Sequence, residues 1–173
     1  MLLLLLGGGA RLPAAAADSL ERLERLHSQI SRKFPAVSHL SADQLTQTLA
    51  NPGAVLFDVR EEAEYRVSHL RGAIRVDPDI GGAAFWSRYR ELIGDKDVVL
   101  YCSVGHRSSK LAARLQPAAA GRGRTVRNLA QGIFGWHNSR LPLFRGGDRS
   151  DRIHPYSRRW ESYLTRRDRI SYE

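Results

Sequence analysis

An unbroken apolar run that ends in a lone cysteine constrains this chain more than any other feature. Val98-Val99-Leu100-Tyr101 follows Asp97, and Cys102 stands at the carboxyl end of the run. A second run, Ala54 to Val59, is interrupted only by Asp58. Strands that are apolar on both faces belong in a parallel sheet covered by helices on both sides. The segments between them read as helices. Ser41 is a candidate N-cap for a short helix holding Leu45 and Leu49, which Asn51-Pro52-Gly53 terminates. Glu61 to Val67 reads as a helical turn or two, and Gly72 to Val76 as another strand. Phe85 to Ile93 reads as a helix with Phe85, Tyr89 and Leu92 inward, and Ser108 to Gln116 as one carrying Leu111, Ala112 and Leu115. After a Gly121-Arg122-Gly123 turn, Thr125 to Leu129 closes the series as a last strand. Strands alternating with helices predict an α/β fold with a mainly parallel sheet.

A length of 173 residues favours one domain, placed over 37–145, with a flanking element on each side. Over 18–36, Leu20, Leu23, Leu26 and Ile30 recur at helical spacing behind an Asp18/Glu21 capping box, and the helix ends before Pro35. Over 146–173 a polar extension carries Gly146-Gly147 and Pro155. In it Arg158 to Arg167 reads as a last helix that packs Trp160 and Leu164 on the domain. Residues 1–17 read as a signal peptide or a disordered start. Ala14 to Ala17 offers a cleavage pattern, but no Lys or Arg precedes the leucines. The balance favours a cytoplasmic chain, with export to the periplasm as the alternative.

The formal charge is +9, and only Lys33, Lys96 and Lys110 are lysines. The arginines are spread along the chain among acids, and no nucleic-acid-binding motif accompanies them, so nucleic acid is not the expected partner. No apolar run approaches the roughly 20 residues that a membrane-spanning helix needs. One cysteine rules out an intramolecular disulfide and a zinc site built on paired cysteines.

A lone thiol is commonly just a small buried hydrophobe. Its neighbours argue otherwise. Cys102-Ser103-Val104-Gly105-His106-Arg107, followed by Ser108, joins a strand to a helix. Loops at the carboxyl ends of parallel strands are where α/β folds bind ligands. Inward-turned amides and a helix N-terminus there make an anion cradle, and a thiol beside it is favoured as the thiolate. Gly105 permits the tight turn, Arg107 adds a permanent charge, and His106 is a candidate for a second. The combination points to a nucleophilic cysteine that handles a small anionic substrate.

This loop resembles the active-site loop of rhodanese-like domains, with four residues between cysteine and arginine. Asp58-Val59-Arg60, Glu64-Tyr65 and His69-Leu70-Arg71-Gly72-Ala73-Ile74 are similar to a second stretch of that family. Asn128-Leu129 through Gly132, Gly135-Trp136 and Pro142 resemble its closing segment. The resemblance implies a five-stranded parallel sheet flanked by helices. It also implies transfer of a sulfane sulfur through a persulfide on Cys102, with residues 103–108 as the binding loop and no metal or organic cofactor. The donor would be thiosulfate or a persulfide, and the acceptor a thiol, cyanide or a protein sulfur carrier. Asp58 and Arg60 are supporting candidates, more readily read as a structural ion pair with Glu64 as a possible member. His69 is read as a structural histidine and Trp136 as core.

Two other functions compete. A non-turnover sulfur carrier or protein-binding module would use the same fold without catalysis. Phosphatases and arsenate reductases that resemble rhodaneses place five residues between cysteine and arginine, one more than here. Ser103 and Val104 are uncharged where well-known thiosulfate-using members carry basic residues, which makes thiosulfate a poor fit as donor.

Overall fold

The two apolar runs lie side by side at the middle of a five-stranded parallel sheet. The structure is a computed structural model that describes residues 12–50 and 53–173. In chain order its main elements are α1 (Ala14–Lys33), β1 (Ser38–Leu40), α2 (Ala42–Leu49), β2 (Ala54–Asp58), α3 (Glu62–Val67), β3 (Ile74–Arg75), α4 (Gly82–Ile93), β4 (Asp97–Tyr101), α5 (His106–Ala120), β5 (Val126–Leu129) and α6 (Gly132–Asn138). A short antiparallel hairpin, β6 (Leu143–Arg145) and β7 (Asp148–Ser150), follows, and then two 3₁₀ turns, Arg158–Tyr163 and Arg167–Arg169. The sheet order is β1-β5-β4-β2-β3, flanked by helices as the sequence predicts.

β4 lies at the centre, paired to β2 from Ala54↔Asp97 to Asp58↔Tyr101 and to β5 from Val98↔Val126 to Leu100↔Asn128. Successive side chains of a strand point to opposite faces. Val98, Leu100 and Cys102 therefore join one apolar cluster with Phe85, Tyr89, Leu111 and Leu115 from α4 and α5. Val99 and Tyr101 join the other, built with Leu23 and Ile30 of α1, Ile133 and Phe134 of α6, and Ile153 and Leu164 of the C-terminal extension. Both flanking segments of the chain thus contribute to one side of the core.

Several boundaries differ from the sequence reading. α1 starts at Ala14, with Pro13 as its N-cap, so Asp18 lies inside the helix and bonds Arg22 at 2.8 Å instead of capping. Alanine is the strongest helix former, so the Ala14–Ala17 segment read as a cleavage pattern extends the helix backward. The rest of the signal-peptide reading, residues 1–11, falls outside the described residues, as do Asn51 and Pro52 of the expected helix stop. At Ser41 the expectation holds as a full capping box with Gln44, the two bonds being 3.2 and 2.8 Å. On α4 the inward residues are Phe85, Tyr89 and Ile93, four apart, whereas Leu92 is 45% exposed. α5 begins two residues earlier than expected. The segment read as a final helix is a six-residue 3₁₀ turn, with Leu164 fully buried and Trp160 partly so. Asn138 closes that turn by donating to Tyr163 O at 2.9 Å and accepting from Thr165 N at 3.0 Å. No helix among the described residues is long and apolar enough to cross a membrane.

His137 on α6 is 1% exposed, and its Nε2 donates to Asp151 O at 3.2 Å. Burial pushes it down to about 4 from 6.5. The unfolded chain takes up this proton first, so stability is intact above pH 6.5 and falls as the pH drops toward 4. Between pH 7 and pH 4 the proton linkage amounts to about 3 kcal/mol. Urea unfolding at the two pH values is expected to show a correspondingly smaller drop for His137→Gln than for the parent.

Candidate active site

The carboxyl end of β4 feeds directly into the start of α5. Gly105 is the N-cap of α5 at φ 98°, a left-handed conformation that glycine adopts without a steric penalty. That turn brings the Gly105 N–H to 3.2 Å from Cys102 Sγ. Ser109 Oγ locks it by donating to Gly105 O at 2.7 Å. No side chain caps α5 and no acid occupies its first turn, which leaves the partial positive charge of the helix end uncancelled beside the thiol.

A second helix start supports the loop from below. Ile133 N–H donates to Cys102 O at 2.9 Å, and Phe134 N–H to Ser103 O at 3.0 Å. The backbones meet so closely at Gly132, φ 57°, that a Cβ there would lie 2.4 Å from Cys102 O and 2.6 Å from Ser103 O.

Charge is organised by Glu64, which is only 1% exposed. Its Oε1 accepts from Ser103 Oγ at 2.5 Å and from Arg107 Nη2 at 2.9 Å, and Arg107 Nη2 also donates to Ser103 Oγ at 2.9 Å. Its Oε2 accepts from Glu61 N at 3.0 Å, completing a capping box on α3. Burial alone would raise the Glu64 pKa, but the Arg107 guanidinium, helped by Arg60 and Ser103, holds it below the ordinary value. Arg107 is correspondingly held above its own ordinary value against the opposing effect of burial, by Glu64 and by the nearby Cys102 sulfur.

The cavity at this loop has a volume of about 220 Å³ and is lined by Cys102, Ser103, Val104, His106, Arg107, Tyr156 and Trp160. Cys102 is 1% exposed, so it sits at the cavity floor and not at an exposed rim. The alternation Val98, Leu100, Cys102 turns the thiol to that side, and Phe85 and Leu111 packed there set its depth. Of the predicted loop, Gly105 contributes its amide, while Ser108 is fully buried away from the cavity. His106 is held below its ordinary value by burial and by Lys33 and Lys110, so it is neutral at pH 7 and adds no second charge. Lys33 Nζ lies 3.3 Å from His106 Nε2, and Phe34 packs edge-on against the imidazole ring, so the end of α1 borders the site.

Asp58 and Arg60 pair with each other, fully buried, through bonds of 2.6 to 3.1 Å, and Arg60 also donates to Ser68 O at 2.6 Å. They do not line the cavity, and the hydrogen bonds of Glu64 go to Arg107 and Ser103 instead. His69 stacks on Tyr65 at 4.0 Å and pairs its backbone with Phe144, a structural position. The sequence reading missed Glu64 as the partner of the loop, because 43 residues separate it from Arg107. It also missed Tyr156 and Trp160 as cavity wall, because more than fifty residues separate them from Cys102 and no local pattern links the two.

A family model described as the rhodanese-like domain matches residues 41–139, more than half of the chain. A sulfurtransferase of Allochromatium vinosum is 32% identical over 62% of this chain and 94% of its own length. An HTH-type transcriptional regulator of Mycobacterium tuberculosis is 34% identical, but the match spans only 38% of it. A tRNA uridine(34) hydroxylase of Photorhabdus laumondii is 33% identical over 22% of its length. Among solved structures, a thiosulfate sulfurtransferase of Pseudomonas aeruginosa superposes with a TM-score of 0.53 at 27% identity, covering 78% of this chain and 23% of that one.

Gly132→Ala is expected to push the Cys102–Ser103 backbone away from α6 without altering any side chain of the cavity. A loss of about 2–4 kcal/mol follows from combining a left-handed non-glycine residue with backbone overlap. The check is a lowered Tm together with a changed rate of Cys102 alkylation by iodoacetamide. A variant equal to the parent in both would show that the loop does not depend on this close approach.

Proposed function

Because the chain belongs to the rhodanese-like domain family, we propose that it is a sulfurtransferase whose sulfur carrier is Cys102. The observation that carries this reading is the sulfur of the only cysteine at the floor of a small cavity, 3.2 Å from the Gly105 amide and beside an uncapped helix start. Such a place suits a sulfur anion that alternates between thiolate and persulfide.

The reaction has two halves. The Cys102 thiolate attacks the outer sulfur of a sulfane donor, R–S–SH or thiosulfate. A new S–S bond forms, and the electron pair of the broken bond leaves with the R–S⁻ or sulfite group. A thiol or cyanide then attacks the outer sulfur of the persulfide, taking it and returning the thiolate. The Gly105 N–H and the end of α5 stabilise the anion in both states. Arg107 positions the loop through Ser103 and Glu64, its charge matched by the Glu64 carboxylate. No step calls for a strong base, which accords with a neutral His106 and a structurally engaged His69.

Mass spectrometry after exposure to thiosulfate, and separately to a persulfidated thiol, is expected to show the gain of one sulfur atom on Cys102 from at least one donor. Cys102→Ser should gain none and should form no thiocyanate from cyanide. Since the side chain is buried, Cys102→Ala also opens a small void, so the serine variant is the cleaner test of chemistry. Sulfur transfer persisting in Cys102→Ser would overturn the covalent mechanism.

Loop length separates sulfur transfer from phosphate chemistry. Four residues between Cys102 and Arg107 draw the amide turn close around one sulfur atom. The protein is expected to release no phenol from an aryl phosphate under conditions that give detectable sulfur transfer. Inserting one glycine after Gly105 is expected to lower sulfur transfer by widening the turn. Equal phosphatase activity in the parent protein would reverse the assignment.

A further inference from the structure

The C-terminal extension supplies two of the seven side chains that line the Cys102 cavity, Tyr156 and Trp160, and both lie beyond residues 41–139 of the family match. The backbone at Tyr156 is in the left-handed region, φ 68°, unusual for an aromatic residue and costly unless its surroundings enforce it. They do enforce it. Tyr156 N donates to His154 Nδ1 at 2.9 Å, and Ser157 N to Pro155 O at 2.8 Å. On either side the segment is pinned by fully buried Ile153 and Leu164, and Ser68 Oγ donates to Arg152 O at 2.6 Å. The strained turn places the Tyr156 ring over the Arg107 guanidinium, 5.0 Å from its carbon to the ring centroid, while the residue as a whole remains half exposed. Trp160 is held from the other side, tilted against Tyr163 at 5.3 Å.

The same cavity has little charge to offer an anion. Among the described residues Arg107 is the only charged one in its lining, and that guanidinium is already bonded to Glu64 at 2.9 Å, with Glu61 at 3.9 Å. Val104, Tyr156 and Trp160 form the apolar part of the wall, beside Cys102, Ser103 and His106. A dianion such as thiosulfate meets one compensated cation there, whereas an apolar group meets two aromatic side chains.

We infer that Tyr156 and Trp160 are specificity-determining residues that bind the apolar organic group of the sulfur donor. The preferred donors are then monoanionic sulfane-sulfur compounds, R–S–S⁻ or R–SO₂–S⁻, with an alkyl or aryl R. This rests on the sulfur-transfer reading above and names its substrate class. With a thiosulfonate the balance is complete: the Cys102 thiolate bonds to the terminal sulfur, the S–S bond of the donor breaks, and its electron pair leaves on the sulfinate R–SO₂⁻. The aromatic faces remain in place to receive R while the sulfur reaches the cavity floor.

The test compares three stable donors on the full chain with cyanide as acceptor: thiosulfate, methanethiosulfonate and benzenethiosulfonate. The two thiosulfonates carry the same charge and differ only in R. In the parent protein kcat/KM is expected to be about tenfold higher for benzene- than for methanethiosulfonate. That is the effect of removing roughly 50–60 Å² of apolar surface from water. Thiosulfate should be the poorest of the three. In Tyr156→Ala and Trp160→Ala the benzene-to-methane ratio is expected to fall to about threefold or less, and in Trp160→Phe to be largely kept. The ratio is read within each variant, so a general loss of activity does not imitate the result, and far-ultraviolet circular dichroism confirms folding. A parent ratio near one, or a ratio unchanged by both alanine substitutions, would overturn this inference while leaving sulfur transfer standing. Failure of Cys102 to accept sulfur from every donor would instead overturn the sulfur-transfer reading.

Discussion

The contact on which the site depends is the pairing of Arg107 with Glu64. It joins the first turn of α5 to α3, two elements brought together only by the pairing of β2 with β4. Glu64 is almost wholly buried, and a carboxylate in that position is tolerated only if it is paired and hydrogen-bonded throughout. It is: Arg107, Ser103 and the Glu61 amide account for both of its oxygens. Removing one member of such a pair leaves an uncompensated charge and typically costs about 3–5 kcal/mol. The loop around Cys102 is therefore fixed by electrostatics from the side of α3 and by backbone bonding from α6.

These two supports hold a buried thiol beside polar groups. A cysteine at the end of a central strand would by default be one more apolar side chain, and Cys102 does pack with Leu100 and Leu111. What distinguishes it is the polarity arranged around a single face: the Gly105 amide, the uncapped start of α5 and the Arg107 guanidinium. Under the sulfur-transfer proposal, the pairing of Arg107 with Glu64 leaves a cradle suited to one negative sulfur rather than to two negative groups. The same ion pair orders the loop through Ser103.

Both ends of the described chain converge on this place. α1 brings Lys33 and Phe34 against His106, and the extension brings Tyr156 and Trp160 into the cavity wall. Asp58 and Arg60 act at a greater remove, closing the carboxyl end of β2 and holding the Ser68 carbonyl. Tyr101 ties the same region together by accepting from Leu70 N at 3.1 Å.

The sheet and the placement of Cys102 at the end of its central strand were legible in the sequence because their signals are local. Apolar runs of strand length, glycine at the turn and a cysteine at a strand end each act within a few residues of where they stand. Ser41 as an N-cap is legible for the same reason, since its bond reaches only to Gln44 three residues on. The depth of Cys102, the neutrality of His106 and the partner of Arg107 were decided by tertiary structure. Each depends on groups brought from distant positions: Leu111 and Phe85 around the strand, Lys33 beside the imidazole, Glu64 from α3. The aromatic wall is the clearest case. Nothing near Tyr156 or Trp160 in the sequence marks them as facing a cysteine more than fifty residues away. That placement exists only because Ile153 and Leu164 bury themselves in the core on either side, and long-range apolar packing leaves no trace in local spacing.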